Sequence, residues 1–184
     1  MTCGSIDFAC TRCRLSKGRT QVVPGTGPCS SPIVFIGEAP GREEDLKGEP
    51  FVGRGGKLLD KVLTDAGADR SKVFICNLVK CRPPGNRRPR KDEIEACSRF
   101  LKSELKAVRP RVVCALGQTV ATSLLNRKEK MSDLVKKSFD ANVAGIDVQV
   151  FVAYHPAACL YQKKNNGSFR KNVEGSLKAA RLTR

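Results

Sequence analysis

The residues best suited to bind a metal are among the nine cysteines of this 184-residue chain. Cys10 and Cys13 form a Cys-x-x-Cys pair, Cys81 lies in a basic, proline-rich stretch, and Cys97 lies early in a predicted helix. One close pair of thiols and two separated thiols can give four thiolate ligands to an iron–sulfur cluster or to zinc. Because four-cysteine zinc sites usually use two close pairs, the spacing favours a cubane cluster and leaves zinc as the alternative.

The remaining cysteines are interpreted as thiols outside the metal site. An odd number of cysteines in a chain without a secretion signal argues against a disulfide framework. Two of the five lie inside predicted strands and are predicted to be buried, namely Cys76 and Cys114. The other three are Cys3, Cys29 and Cys159.

His155 is the only imidazole in the chain, so any chemistry that needs an imidazole depends on it. It follows a predicted buried strand and precedes Pro156, which disfavours helix at His155 and favours extended or turn geometry. A histidine-rich metal site is excluded, and no Ser-His-Asp arrangement is indicated. The position alone leaves a structural and a catalytic role open.

A strand that ends in a glycine-bearing, acidic loop is the second candidate for a site. Residues 33–36 are apolar and mostly β-branched, and Gly37 then begins a turn that carries Glu38 and Pro40 before a run of acids at 43–45. Open α/β sheets place their sites in loops of this kind, at the carboxyl ends of strands. A solvated connection fits the loop equally well.

These residues need a sheet to position them. Strands are predicted at residues 33–36, 73–79, 111–116 and 148–153, and helices at about 55–67, 91–108, 117–126 and 169–182. Residues 23–32 are predicted to be an irregular linker, and residues 127–140 a polar surface excursion. The alternation predicts an α/β fold with three α/β/α layers and a central, mostly parallel, four-stranded sheet. Because the candidate loops follow strands, they should meet along one edge of the sheet.

Length and charge limit the function classes. The chain fits a single domain, 1–184, with an N-terminal arm of about residues 1–32. It has no apolar run of bilayer length and no signal peptide, so we expect a cytoplasmic protein. The formal charge of +16, from 34 basic and 18 acidic residues, favours nucleic acid as the partner.

In their order and spacing, the motifs resemble the family-4 iron–sulfur uracil-DNA glycosylases over nearly the whole chain. The segments that carry the resemblance are GEAPGREED at 37–45, PFVG at 50–53, FICNLVKCRPPGNR at 74–87, Cys97 and YHPAA at 154–158. The resemblance implies a monofunctional glycosylase that hydrolyses the N-glycosidic bond of deoxyuridine in DNA, leaving an abasic site for base excision repair. It also implies a structural [4Fe-4S] cluster, with the ligands Cys10, Cys13, Cys81 and Cys97.

The resemblance also implies roles for the polar and aromatic residues of the motifs. Phe51 would stack on uracil, and Asn77 would read its polar edge through paired hydrogen bonds. The backbone of Glu38, Ala39 and Pro40 would complete the base pocket. His155 would donate a hydrogen bond to the charge that develops on a uracil oxygen. The residues placed around the water and the sugar are Glu38, Glu44 and Asn86.

The partner implied is uracil-containing DNA, single- or double-stranded, bound by a monomer, with a replication clamp as a candidate protein partner. Residues 159–170 are a candidate for groove insertion and phosphate contact, with a solvated basic loop as the alternative. A related group that becomes trapped on DNA carries a histidine in the arginine-rich loop, where this chain reads GNRRPRKDE. We therefore expect turnover. A non-catalytic iron–sulfur module that binds nucleic acid is the competing hypothesis.

Overall fold

The computed structural model describes residues 2–183, and its centre is a five-stranded sheet in the order β2-β1-β3-β5-β4. The strands are β1 (Ile33–Gly37), β2 (Phe74–Asn77), β3 (Val112–Leu116), β4 (Ser138–Val143) and β5 (Ile146–Ala153). β1, β2, β3 and β5 are parallel, and β4 pairs antiparallel with β5. Every residue of β1, β2 and β3 is buried. β1 and β3 lie inside the sheet and are covered on both faces, whereas β2 is an edge strand that the N-terminal arm covers through a bridge between Thr26 and Ile75.

Helices cover both faces of the sheet. They are α1 (Arg42–Lys47), α2 (Arg54–Asp65), α3 (Lys91–Val108), α4 (Gln118–Leu125), α5 (Met131–Leu134), α6 (Pro156–Tyr161) and α7 (Asn166–Ala179). One apolar cluster joins Leu101 and Leu105 of α3 to one face of the sheet. A second cluster joins Leu59 of α2 and Phe169 of α7 to the other face. The predicted three-layer α/β/α fold is confirmed.

The sheet has five strands, so the predicted count of four is wrong. The additional strand, β4, begins at Ser138 inside the segment predicted to be a surface excursion. Its side chains alternate, with Phe139 and Val143 buried and their neighbours more exposed, because β4 is an edge strand with one solvated face. The alternation of buried and exposed residues in β4 was not recognised from the sequence because charged residues come directly before it.

Three other boundaries differ from the predicted ones, and each places a candidate residue. The acids at 43–45 lie in the first turn of α1, where the helix dipole favours negative charge. β2 ends at Asn77, so Asn77 stands at the strand end and not inside the strand. The predicted loop at 159–170 contains the end of α6, a short 3₁₀ turn and the start of α7.

The N-terminal arm packs against β2 and α3 without regular secondary structure of its own beyond short turns. Thr26 forms an isolated antiparallel bridge with Ile75, and the amide of Ser5 donates to Ser103 Oγ (2.7 Å). Cys3 and Cys29 form a disulfide. Their interpretation as thiols is therefore wrong in this structure, because the arm folds back on the linker and brings together two residues far apart in sequence. Within residues 2–183, no helix is both long and apolar enough to cross a membrane.

Candidate active site

A cleft of about 710 Å³ lies at the carboxyl edge of the sheet, and we call it the strand-end cleft. Each parallel strand contributes the residues that follow or end it: Glu38 after β1, Asn77 of β2, Gly117 after β3 and His155 after β5. The predicted convergence of loops at one edge is thus observed. The cleft also contains Ala39, Pro40, Glu44, Phe51 and Asn86, so every residue expected to bind substrate or catalyse lies along it.

Asn77 is buried on the floor of the cleft, and its Oδ1 has no hydrogen-bond partner within residues 2–183. A buried amide oxygen without a partner is costly, so such an atom indicates a ligand that donates a hydrogen bond. The amide packs against Gly37, where an added Cβ would lie 2.4 Å from both Oδ1 and the Phe51 ring. Because Gly37 has no side chain, the Asn77 amide and the Phe51 ring can both pack against the end of β1.

Phe51 is held in an unusual backbone conformation. Its φ of 55° lies in the left-handed region, which is uncommon for a residue with a bulky side chain. The Arg70 guanidinium bonds the carbonyls of Pro50 (3.1 Å) and Phe51, and its Nε donates to Asp60 of α2 (2.6 Å). Gly56 packs directly on the Phe51 carbonyl, which leaves no room for a Cβ. These contacts hold the backbone of Phe51 and thereby fix the position of its ring.

His155 stands opposite Phe51, with 5.8 Å between the ring centroids. Its Nδ1 accepts a hydrogen bond from the Ala157 amide (3.2 Å) and so caps α6. Burial lowers the pKa of His155 from 6.5 to about 4, and the nearby Glu44 carboxylate opposes this shift only in part. The imidazole is therefore neutral near pH 7. With Nδ1 as acceptor, the proton is on Nε2, which is free to donate.

The two carboxylates expected near the substrate have different surroundings. Glu44 Oε2 accepts from the Gly41 amide (3.0 Å), and Oε1 accepts from the amides of Val52 (3.0 Å) and Gly53 (2.9 Å). Glu44 thus joins the start of α1 to the segment that follows Phe51. Glu38 lies at the end of β1, is partly buried, and lines the cleft.

The rim of the cleft is basic and exposed. Asn86 is exposed, so it lies at the rim and not on the floor; it has a φ of 56° and accepts a hydrogen bond from Arg82 Nε (2.7 Å). Arg87 is fixed by a two-pronged bond to the buried Glu93, and this bond lowers the pKa of Glu93 to about 2. Across the cleft, Tyr161 at the end of α6 is 78% exposed.

A second, small cavity is lined by Cys10, Cys13, Cys81 and Cys97, and we call it the cysteine cavity. It lies where the arm, the proline-rich loop and α3 meet, in an apolar cluster that includes Leu15 and Phe100. Within residues 2–183, no group of three or more His, Cys, Asp or Glu side chains is arranged to hold a single metal ion.

The cysteine sulfurs of this cavity influence one another. Burial raises the pKa of the Cys97 thiol to about 11, and the neighbouring Cys81 and Cys13 contribute in the same direction. Burial also raises the pKa of Cys81, while Arg19, which donates to its Sγ (3.3 Å), acts in the opposite direction. Four thiols around one cavity, with a guanidinium that donates to one of them, fit a group that binds thiolates.

Two features of the cleft were missed in the sequence. The end of β3, with Gly117 and Gln118, lines the cleft beside His155, and the strand-end rule should have identified it. Arg70, which holds the Phe51 backbone, lies in a short turn before β2. No sequence signal distinguishes it from the many other basic residues of the chain.

Comparison with known proteins identifies the family. The model of the uracil DNA glycosylase superfamily matches residues 24–178. A type-4 uracil-DNA glycosylase of Archaeoglobus fulgidus is 45% identical over 84% of this chain and 80% of its own length. The type-4 uracil-DNA glycosylase of Pyrobaculum aerophilum is 41% identical over 89% of this chain and 86% of its own length. That of Saccharolobus solfataricus is 44% identical over 90% of this chain and 77% of its own length. This chain therefore belongs to the uracil DNA glycosylase superfamily, within its type-4 group.

Proposed function

We propose that this protein is a monofunctional uracil-DNA glycosylase, which hydrolyses the N-glycosidic bond of deoxyuridine in DNA and leaves an abasic site. The observation that carries the proposal is Asn77 Oδ1, which has no partner in the described part of the chain and is buried in a cleft that also contains Phe51 and His155. An acceptor, an aromatic ring and a neutral imidazole donor are the groups that a flipped-out uracil requires.

Asn77 is proposed to read the base. Uracil presents an N3–H donor beside an O4 acceptor, which matches the Oδ1 acceptor and the Nδ2 donor of one amide. Cytosine presents an acceptor at N3 and an amino donor at C4, so the same orientation of the amide would lose both hydrogen bonds. Because stacking on Phe51 does not distinguish bases, the amide supplies the discrimination between uracil and cytosine.

His155 is proposed to stabilise the leaving group. As the glycosidic bond breaks, its electron pair passes to the base, and negative charge accumulates on a uracil oxygen. The Nε2–H of neutral His155 donates to that oxygen, while the capping bond to Ala157 holds the ring in place. One such donor typically contributes about 10²–10³ in rate.

The sugar becomes positively charged as the base leaves, and water must add at its anomeric carbon. Glu38 is proposed to orient this water and to stabilise the positive charge on the sugar, because it follows the carboxyl end of β1 and lines the cleft beside the base pocket. Both Glu44 oxygens already accept backbone amides, which supports a positioning role for Glu44 beneath Phe51. A direct role for Glu44 or Asn86 in catalysis stays a prediction.

DNA is proposed to lie across the basic rim. Arg87 and Arg88 line one side of the cleft, and Lys163 and Lys164 follow the exposed Tyr161 on the other. The lysines would neutralise phosphates, and the tyrosine would fill the space that the flipped nucleotide leaves in the stack. Since DNA is the substrate, the enzyme would act inside the cell, and the place proposed is the cytoplasm, at the nucleoid.

A [4Fe-4S] cluster is proposed for the cysteine cavity, bound by Cys10, Cys13, Cys81 and Cys97. The support is the donor set, with four thiols from the arm, the proline-rich loop and α3 around one cavity. When bound, the cluster would cross-link these three segments and thereby fix the basic loop at the rim. The hydrolysis itself needs no electron transfer, so its role would be structural.

The test is a base-release assay with single- and double-stranded oligonucleotides that contain uracil, hypoxanthine or xanthine, followed by alkaline cleavage. We expect cleavage at uracil, with multiple turnover when the substrate is in excess. Intact strands from folded protein with a full complement of iron and sulfide would refute the proposal and favour the non-catalytic DNA-binding module. Stoichiometric zinc in a colourless, active sample would refute the cluster alone.

A further inference from the structure

A buried ion pair lies between the cysteine cavity and Asn77. The side chains of Lys80 and Glu104 are each only 1% exposed, and the Lys80 ammonium donates to Glu104 Oε2. The same ammonium donates to the backbone carbonyl of Asn77 (2.8 Å). Lys80 follows β2 in the chain and Glu104 lies on α3, so the pair joins the end of a strand to the helix beside it.

The backbone around the pair is connected to the cysteine cavity and to the arm. The Lys80 amide donates to Cys97 Sγ (3.3 Å), and its carbonyl accepts from Val23 (2.7 Å). The second oxygen of Glu104 accepts from the Gly25 amide (2.7 Å). The pair is therefore fixed by the arm and by α3 on one side, and it bonds Asn77 on the other.

The attraction between the two charges alone gives little reason to keep this pair. Removing two charges from water is costly, and apolar side chains of similar volume often replace a buried ion pair with no loss of stability. An apolar chain at position 80, however, could not donate to the Asn77 carbonyl. That bond holds the peptide of Asn77 at the end of β2, where the strand stops and the side-chain amide must face the base.

We propose that Lys80 and Glu104 are positioning residues for base recognition. Lys80 fixes the orientation of Asn77, and Glu104 fixes Lys80, with the arm and the Cys97 segment as their common support. Neither residue touches the base. The inference rests on the proposed function, because it requires that Asn77 reads uracil.

The test compares the Lys80→Met and Glu104→Leu single variants with the double variant. Each single variant should lower the melting temperature, because it leaves one buried charge without its partner. The double variant should melt above either single variant, because no buried charge lacks its partner, but below the wild type, because the Gly25 amide and the Asn77 carbonyl lose a hydrogen bond. It should keep the wild-type iron content and the wild-type affinity for undamaged duplex DNA. Its inhibition constant for free uracil should nevertheless rise at least 10-fold, and kcat/KM on uracil-containing DNA should fall by a similar factor.

The exposed pair Lys136 and Asp133 provides the matched control, since Lys136→Met with Asp133→Leu also removes one charge of each sign. The control should leave the inhibition constant for uracil unchanged. A folded double variant at positions 80 and 104 with wild-type uracil inhibition would overturn the inference. If that variant does not fold, Glu104→Gln replaces it, because it keeps the acceptor for Gly25 but weakens the anchor of Lys80. Unchanged uracil inhibition in Glu104→Gln would then overturn the inference.

The two proposals fail in different ways. If the wild-type protein releases no uracil, the proposed function fails before any variant is made. If the wild type is active and the variants bind uracil as it does, only the positioning role of Lys80 and Glu104 fails.

Discussion

The strand-end cleft and the cysteine cavity are built by opposite rules. In the cleft, side chains from separate strand ends face an open space, and a buried polar atom, Asn77 Oδ1, has no partner among residues 2–183. Around the cysteine cavity, polar groups bond one another, as Arg19 does with Cys81 and Lys80 with Glu104. The difference indicates that the cleft is prepared for a ligand that comes and goes, whereas the cavity region is a permanent support.

The strongest test of this contrast is His155→Ala, which should reduce kcat on uracil-containing DNA about 10²–10³-fold by removing the donor to the leaving base. His155→Asn is the sharper variant. Its amide oxygen can still accept from Ala157, so it keeps the cap of α6 but lacks the Nε2 donor. The His155→Asn variant should therefore have the activity of His155→Ala and the melting temperature of the wild type. A His155→Asn enzyme with wild-type kcat would remove the imidazole from the reaction.

Asn77→Ala should reduce kcat/KM about 100-fold, from the loss of two hydrogen bonds of about 1–1.5 kcal/mol each. The variant should also be less sensitive to inhibition by free uracil. Because Oδ1 has no partner within the described structure, its removal should cost little stability. Asn142→Ala, on the exposed β4–β5 hairpin, is the control and should behave as wild type. A large fall in the melting temperature of Asn77→Ala would show that the amide supports the fold.

Cys81→Ser tests the supporting role of the region around the cysteine cavity. We expect lower iron content and a lower melting temperature, with activity reduced several-fold in proportion to the folded fraction. The inhibition constant for uracil of the remaining folded Cys81→Ser enzyme should be closer to the wild-type value than that of Asn77→Ala. Cys114→Ala, a buried thiol outside the cavity, should keep its iron. Full iron content in Cys81→Ser would remove Cys81 from the ligand set.

Lys163→Ala with Lys164→Ala should weaken DNA binding a few-fold and reduce the slope of log Kd against log salt by about 2, one for each phosphate contact. The kcat at saturating DNA should remain unchanged, because neither lysine reaches the floor of the cleft. Lys102→Ala with Lys106→Ala removes the same charge from two exposed positions of α3. Equal effects of the two double variants would show that net charge, and not the rim, determines DNA binding.

His155 should also make the stability of the protein depend on pH. The pKa of His155 is about 4 in the folded protein, below its ordinary value of 6.5, so the unfolded chain binds more protons between these values. The contribution of His155 is fully present above about pH 6.5 and is lost as the pH falls towards 4. Thermal melting across this range should be less pH-dependent in His155→Asn, while kcat of the wild type should not change with His155 titration above pH 6.5. An equal slope in both proteins would contradict the buried, neutral imidazole.

Local pattern was enough to predict the four parallel strands and the edge at which their loops meet. Apolar runs such as residues 33–36 are buried on both faces wherever they pack, so their state depends little on distant partners. β4 was missed because an edge strand is half polar, and its alternation resembles a solvated segment. Asn77 was assigned to the interior of β2, since sequence gives element boundaries less accurately than elements.

The sequence by itself determined which groups are available: one imidazole, a Cys-x-x-Cys pair with two further cysteines, and the motifs that carry the family resemblance. Only the tertiary structure decided which polar groups are occupied. It showed that Glu44 is bonded by three amides, that Cys3 and Cys29 are joined, and that Lys80, one of 34 basic residues, is buried against Glu104. The physical reason is that burial and hydrogen bonding depend on partners far away in the chain, which a local pattern does not specify.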